Sequence, residues 1–309
     1  MRILVTGATS GLGRATALQL GARNVEVIVG GRRREAVEDL VRAIESRGGQ
    51  ARPFVADLAS LADIRRAVDD AELAPLDGIV ANAGLTLSEE QRSADGYELT
   101  FAVNVLAHHL LVALLAKTLR RSGARVVFVS SGTQIPDHKL ARRFGIPAPR
   151  WVGATNLAKP DEASEEERVD DLQQRYSTSK LGNVLQARAF QVAFARADID
   201  ADVFAIDPGL MVGTNLAREV PAVLRWIFKG VGTLATPLVK GMRRVETSAT
   251  HLCELLLSEE WAGKGFAYLD GDELFPASDD GMNDDYRDAL WRDAANLIRL
   301  QPNETALFL

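Results

Sequence analysis

Short apolar runs and helical stripes of apolar residues alternate along the chain. Ile3-Leu4-Val5 is a run that stops at Gly7 and predicts a strand. Leu12, Ala15, Ala17 and Leu20 follow at helical spacing, so 15–20 is read as helix. A second strand is expected at 25–29, then an amphipathic helix at 35–47 ended by Gly48-Gly49. Phe54-Val55 opens a third strand unit; 61–73 reads as helix and 78–81 as a fourth strand. The stretch 97–119 reads as one long apolar helix, and 125–129 as a fifth strand. A second long helix is expected at 176–197, a sixth strand at 203–206 and a helix at 247–257. A last strand is expected at 265–269, and a C-terminal helix at 285–300. Repeated β-α units with short apolar strands imply an α/β architecture, a doubly wound parallel sheet. No internal repeat or linker divides residues 1–309, so one domain is expected.

Three stretches stand outside this rhythm. Residues 132–175 form an insertion rich in Pro, Arg and acid, with Glu165-Glu166-Glu167 reading as a solvated helix face. Residues 213–244 are mostly apolar, with Trp226, Phe228 and basic residues; 279–309 read as a C-terminal helical extension. The first two leave the carboxyl ends of strands, where open α/β sheets bind ligands. The 213–244 segment is expected to be a substrate lid. A packed helix pair, or a segment in weak contact with a membrane surface, fits the same composition.

Composition narrows the function. A net charge of −6 and a pI near 5.4 give no footprint for nucleic acid. The single cysteine, Cys253, excludes an internal disulfide and sits in an apolar helical stretch, where a buried role is expected. The chain opens directly on a strand and carries no apolar run long enough to span a bilayer, so a cytoplasmic protein is expected. Four histidines and one cysteine, all scattered, give no metal-ligand spacing.

The chemistry begins at Thr6-Gly7-Ala8-Thr9-Ser10-Gly11-Leu12-Gly13, between the first strand and the first helix. Gly7 permits a tight turn, Gly11 lets backbone approach a pyrophosphate, and Gly13 allows close helix–strand packing; Thr9, Ser10 and Leu12 share the cradle. A glycine-rich turn without a ligand is the plain alternative. The second strand ends Gly30-Gly31-Arg32-Arg33-Arg34, where Asp or Glu would bind a ribose 2′-OH and arginine a 2′-phosphate. Arg32 and Arg33 therefore point to NADP(H), unless they are an ordinary basic helix start. Tyr176 and Lys180 lie four residues apart, on one helix face. A phenol ionises only near pH ~10. A neighbouring cation is expected to lower that value and ready the tyrosine for proton exchange with an alcohol or carbonyl oxygen.

These motifs, with Asp57-Leu58, Ala81-Asn82-Ala83-Gly84, Asn104, Ser130-Ser131 and Asp207-Pro208-Gly209, resemble the short-chain dehydrogenase/reductases over about residues 1–216. The resemblance implies a Rossmann fold. Phe101 through His108, Ser179 through Asn183, and the 45-residue spacing from Ser131 to Tyr176 (176 − 131) are similar to the retinol dehydrogenase and protochlorophyllide reductase branch.

The resemblance implies roles by residue. Tyr176 is the general acid/base, Lys180 lowers its pKa and holds the nicotinamide ribose, and Ser131 bonds the reacting oxygen. Asn104 holds a water in a proton relay. Asp57 and Leu58 meet the adenine; Asn82, Ala83 and Gly84 pass the adenosine ribose. Pro208 and Gly209 flank the nicotinamide, and Thr214 holds its carboxamide. Thr214 stands five residues after Gly209, where the family often has four, and Ala81 stands where asparagine is common. Plainer readings make Asn104 a helix hydrogen bonder, Ser131 a loop residue and Asp57 a cap. His108 and His109 are expected in the core or at a subunit contact. The function expected is NADP(H)-dependent interconversion of a carbonyl and an alcohol on a small apolar substrate. Carbon–carbon double-bond reduction and a non-catalytic NADP(H) sensor or scaffold are the alternatives. A homodimer or homotetramer is expected through the helices at 97–119 and 176–197.

Overall fold

A computed structural model of the chain describes residues 1–71, 73, 75–211 and 241–307. In chain order the elements are β1 (Arg2–Val5), α1 (Gly11–Gly21), β2 (Glu26–Gly31), α2 (Arg34–Glu45), β3 (Gln50–Val55), α3 (Leu61–Asp70) and β4 (Gly78–Ala81). Then come α4 (Leu99–Phe101), a π-helical segment (Ala102–Leu106), α5 (Ala107–Leu115), β5 (Ser122–Val129), α6 (Lys139–Arg143) and α7 (Ala154–Ala158). The described remainder is α8 (Leu172–Arg196), β6 (Asp200–Asp207), β7 (Leu210–Met211), β8 (Met242–Arg243), α9 (Val245–Leu257), β9 (Phe266–Asp270), β10 (Glu273–Leu274) and α10 (Asp284–Leu297).

Eight strands form one sheet in the order β3-β2-β1-β4-β5-β6-β9-β10. Only β10 runs antiparallel. The central strands read as continuous apolar runs because both their faces are covered; β4, Gly-Ile-Val-Ala, is buried throughout. One core packs under α3, α5, α8 and α10, the other under α1, α2 and α9. β1 connects outward to β2, and β4 the opposite way to β5. Their carboxyl ends therefore flank the switch point at which such sheets bind ligands.

Several expectations need correcting. Phe54-Val55 ends β3 rather than opening it, because the strand pairs with β2 from Gln50 onward. The helix expected at 97–119 is broken by the π-helical segment, and the strand expected last is followed by β10. Glu165-Glu166-Glu167 is exposed as expected but lies in a turn, not a helix. The insertion 132–175 is partly core: Ala154, Leu157 and Ala158 are buried, and Trp151 packs between Phe101 and Tyr286. The expected pairing helices have their faces covered within the chain. α10 packs on α8, Tyr97 donates its hydroxyl to Leu297 O at 2.7 Å, and Thr305 donates to Ala113 O at 2.6 Å. Every residue of α5 is buried within the chain. Of the lid expected at 213–244, only 241–244 fall among the described residues, and Thr214 lies outside them. No helix among the described residues is long and apolar enough to cross a membrane.

Candidate active site

The glycine loop is stitched to the end of β4 by one hydroxyl. Thr6 Oγ1 accepts the backbone N–H groups of Asn82 and Ala83, each at 2.9 Å. The same oxygen lies 3.0 Å from His108 Nε2, while His108 Nδ1 lies 3.2 Å from Asn104 O. A carbonyl only accepts, so Nδ1 carries the proton and Nε2 accepts from Thr6. This fixes a neutral imidazole, and burial pushes His108 down to about 4. His108 is thus the satisfied core histidine expected. His109 is buried between Phe190 and Trp291, and neither ring nitrogen has a hydrogen-bond partner among the described residues.

Gly7 and Gly11 adopt φ of +61° and +50°, which side chains resist. A Cβ on Gly13 would stand 2.5 Å from both Gly7 O and Asn82 Nδ2. Asn82 spends its amide on this loop, donating to Thr6 O at 2.8 Å. α1 opens at Gly11 with no side-chain cap from Ser10 and no acid in its first turn. Its first N–H groups and its dipole are left for an anion. Thr9 packs over Gly31, where a Cβ would meet its Cγ2 at 2.8 Å. Arg32 and Arg33 are exposed just past this contact, whereas Arg34 reaches Glu38. Asp57 follows β3, its Oδ1 accepting the Ala59 N–H at 3.0 Å, with Leu58 packed against the core beside it. The loop, the arginines and Asp57 line one edge of the sheet, as a dinucleotide requires.

The second half of the site hangs from α8. Asp171 caps the helix by accepting the Gln174 N–H at 2.8 Å. Tyr176 and Lys180 share a face, the ammonium 5.6 Å from the ring centroid. Lys180 Nζ donates to Val129 O at 3.0 Å, at the end of β5, and toward Asn183 Oδ1 at 3.4 Å. Ser131, just past β5, stands beside the Tyr176 phenol and favours its ionised form. Asn104 sits in the π-helical segment, a feature frequent at functional sites. Its Oδ1 accepts the Leu85 N–H at 2.9 Å, and its Nδ2 donates to Leu85 O at 3.0 Å and Ser179 Oγ at 2.9 Å. Gly84 is where these groups converge: a Cβ there would meet Asn104 Oδ1 at 3.3 Å and Lys180 Nζ at 3.4 Å. Gly209, at φ +81°, turns the chain after β6 by donating its N–H to Asp207 Oδ1 at 2.9 Å; Ser248 donates to Pro208 O at 2.7 Å.

One electrostatic expectation is overturned. The Tyr176 phenol is pushed up, not down, first by burial and then by the negative charge of Asp207; Ser131 only partly offsets them. Lys180 falls to about 8, burial outweighing Asp207. The ammonium spends itself on Val129 and Asn183 while the phenol is desolvated, so proximity of a cation does not decide the sign. Three residues that position the site were not singled out as site residues from sequence. Asn183, one helical turn beyond Lys180, donates to Asn104 O at 2.7 Å, and its spacing was a usable signal. Thr6 and Asp207 stood within the motifs read from sequence, but their roles depend on contacts distant in sequence.

A dinucleotide-binding sheet with a Ser-Tyr-Lys cluster at its carboxyl edge defines an oxidoreductase of the Rossmann class. The chain belongs to the short-chain dehydrogenase family, whose pattern matches residues 1–137. It is 33% identical to a polyprenol dehydrogenase of Mus musculus over 284 residues, 86% of this chain and 74% of that protein. It is 30% identical to retinol dehydrogenase 14 of Mus musculus over 308 residues, 94% and 83% of the two chains. Among solved structures, a short chain dehydrogenase from Burkholderia cenocepacia in complex with NADP superposes with a TM-score of 0.62 at 22% identity, covering 88% of this chain and 96% of that one. An angucycline C-6 ketoreductase with bound NADP superposes with a TM-score of 0.61 at 22% identity, covering 87% and 93%.

Proposed function

We propose that the protein is an NADP(H)-dependent oxidoreductase that interconverts a carbonyl and an alcohol on an apolar, isoprenoid-like substrate. The observation that carries this reading is the convergence of Ser131, Tyr176 and Lys180 in a sheet fold whose first helix opens uncapped after the glycine loop. When bound, the cofactor supplies or takes up hydride. The first turn of α1 and the glycine loop hold its pyrophosphate, and Arg32 and Arg33 take its 2′-phosphate. Tyr176 gives its proton to the substrate oxygen, and Ser131 orients the phenol. Lys180, anchored on Val129 O, faces Gly84 where the ribose would pass. A phenol held protonated at neutral pH suits the acid step of carbonyl reduction. Polyprenol and retinol are long apolar alcohols, and the relatives named for them support a substrate of that class. The test is oxidation of NADPH by purified protein with all-trans-retinal and with a short polyprenal. Turnover with either, and preference over NADH, is expected. No turnover with any apolar aldehyde or ketone would count against the reading.

A further inference from the structure

Arg243 comes from β8 and lies across the carboxyl ends of two adjacent strands, β6 and β9. β8 pairs in parallel with β7, Arg243 standing opposite Met211, and Leu210 donates its N–H to Gly241 O at 2.9 Å. This pairing brings the side chain over the Gly209 turn. A Cβ on Gly209 would lie 2.8 Å from Arg243 Nη1 and 3.1 Å from its Cγ. A Cβ on Gly271, in the turn after β9, would lie 2.7 Å from its Cζ. The guanidinium is therefore wedged between two turns, and both are bare where it passes. Gly271 also donates its N–H to Asp207 O at 2.9 Å, which ties its turn to the last residue of β6. Asp270, the last residue of β9, holds the wedge. Arg243 Nη2 donates to the Asp270 carbonyl at 3.2 Å, and Nη1 faces Asp270 Oδ1 at 2.7 Å as an ion pair. Both atoms of that pair are shut off from water, so removing either partner strands the other.

We propose that Arg243 is a positioning residue for the nicotinamide half of the cofactor: wedged between Gly209 and Gly271 and locked on Asp270, it fixes where the Pro208-Gly209 turn stands. The inference rests on the reading that this turn flanks the nicotinamide. Two other contacts hold the turn from elsewhere: the Gly209 N–H goes to Asp207 Oδ1, and Ser248 of α9 holds Pro208 O. Arg243 adds the side-chain contact that spaces this turn from the one after β9. Arginine suits the role because its planar fork meets Asp270 at two points, where lysine offers a single flexible charge. Neither Arg243 nor Asp270 needs to touch the cofactor, and no bond is made or broken at either.

The test is equilibrium binding, by calorimetry, of NADPH and of adenosine 2′,5′-bisphosphate, which keeps the adenosine half and the 2′-phosphate but has no nicotinamide. Arg243→Met should weaken NADPH about fivefold, the worth of one ordinary hydrogen bond, and leave the bisphosphate unchanged. Arg243→Lys keeps the charge but loses the fork, so it should recover only part of the loss. Asp270→Asn should weaken NADPH likewise and add nothing to Arg243→Met, because it acts through the same side chain. Gly271→Ala should displace the guanidinium and have the same effect, its Cβ lying 2.7 Å from Cζ. Gly263→Ala is the control. Its φ is +69° against +68° at Gly271, and nothing lies within 4 Å of its Cβ, so it carries the backbone strain alone and should leave both ligands unchanged. An arginine with only a structural role would weaken both ligands together in Arg243→Met, and an idle one would weaken neither; either result overturns the proposal. Full recovery in Arg243→Lys would mean that charge alone matters and would overturn the wedge. If Arg243→Met does not fold, Gly271→Ala set against Gly263→Ala carries the same test. Wild type that binds neither ligand would sink the dinucleotide reading itself; wild type that binds both, with NADPH affinity unmoved in Arg243→Met, sinks the positioning role alone.

Discussion

The two buried histidines should make the fold acid-sensitive in a measurable way. His108 and His109 ionise near 6.5 in an unfolded chain but only at about 4 and about 3 when folded, burial being the main cause in both. Below pH 6.5 the unfolded chain therefore binds more protons than the native one, and stability falls as pH drops. The loss runs down to about 4 for His108 and about 3 for His109. Each pH unit is worth about 1.4 kcal/mol per histidine. At about pH 5 each site then costs roughly 2 kcal/mol, and the two together roughly 4 kcal/mol, a large part of an ordinary domain's stability. His109→Leu removes one of them. At neutral pH it trades about 1–3 kcal/mol of unpaired ring nitrogens against ring contacts with Phe190 and Trp291 worth about 0.5–1.5 kcal/mol each, so the net change should be small. The assay is urea unfolding of both proteins at about pH 8, 6 and 5, followed by tryptophan fluorescence. Raised carboxylates such as Glu98 and Asp207, and the depressed His251, titrate in both proteins and cancel in the comparison. His109→Leu should lose about 2 kcal/mol less than wild type between pH 8 and 5. Equal losses in the two proteins would refute the reasoning.

Other outcomes follow from the same structure. Gly13→Ala places a Cβ 2.5 Å from Gly7 O, so overpacking of about 1–3 kcal/mol should weaken NADPH binding about tenfold or more by calorimetry. Unchanged affinity would mean that the loop holds no phosphate. Arg32→Ala should cost NADPH about 1.5–3 kcal/mol, one to two decades of affinity, and leave NADH alone. Equal loss for both cofactors would remove the 2′-phosphate assignment. With α5 and α8 covered by α10 and the tail, light scattering should give a species near 33.5 kDa. A dimer that dissociates on substitutions in α5 or α8 would contradict that covering.

Sequence made most of the scaffold legible because each strand is a short apolar run and each helix a stripe, and these periods differ. Boundaries moved where pairing decides them: Gln50 through Pro53 carry no strand pattern, yet they complete the ladder along β2. The π-helical segment was hidden because 97–119 is apolar almost throughout, so one more residue in a turn leaves the pattern intact. It coincides with Asn104, tied to Leu85 and Ser179 by contacts that spacing does not reveal. The pairing of Tyr176 and Lys180, one turn apart on α8, was readable from spacing. The sign of their electrostatics was not, because it depends on burial and on Asp207, which arrives from another strand.

The central claim is that Tyr176 supplies the proton. The direct measurement is single-turnover reduction of all-trans-retinal by NADPH with wild type and Tyr176→Phe, alongside NADPH affinity for each. The chemical step should fall by about two to four decades while NADPH affinity stays close to wild type, since only a proton donor is lost. A Tyr176→Phe protein that reduces the aldehyde at near wild-type rate would contradict it.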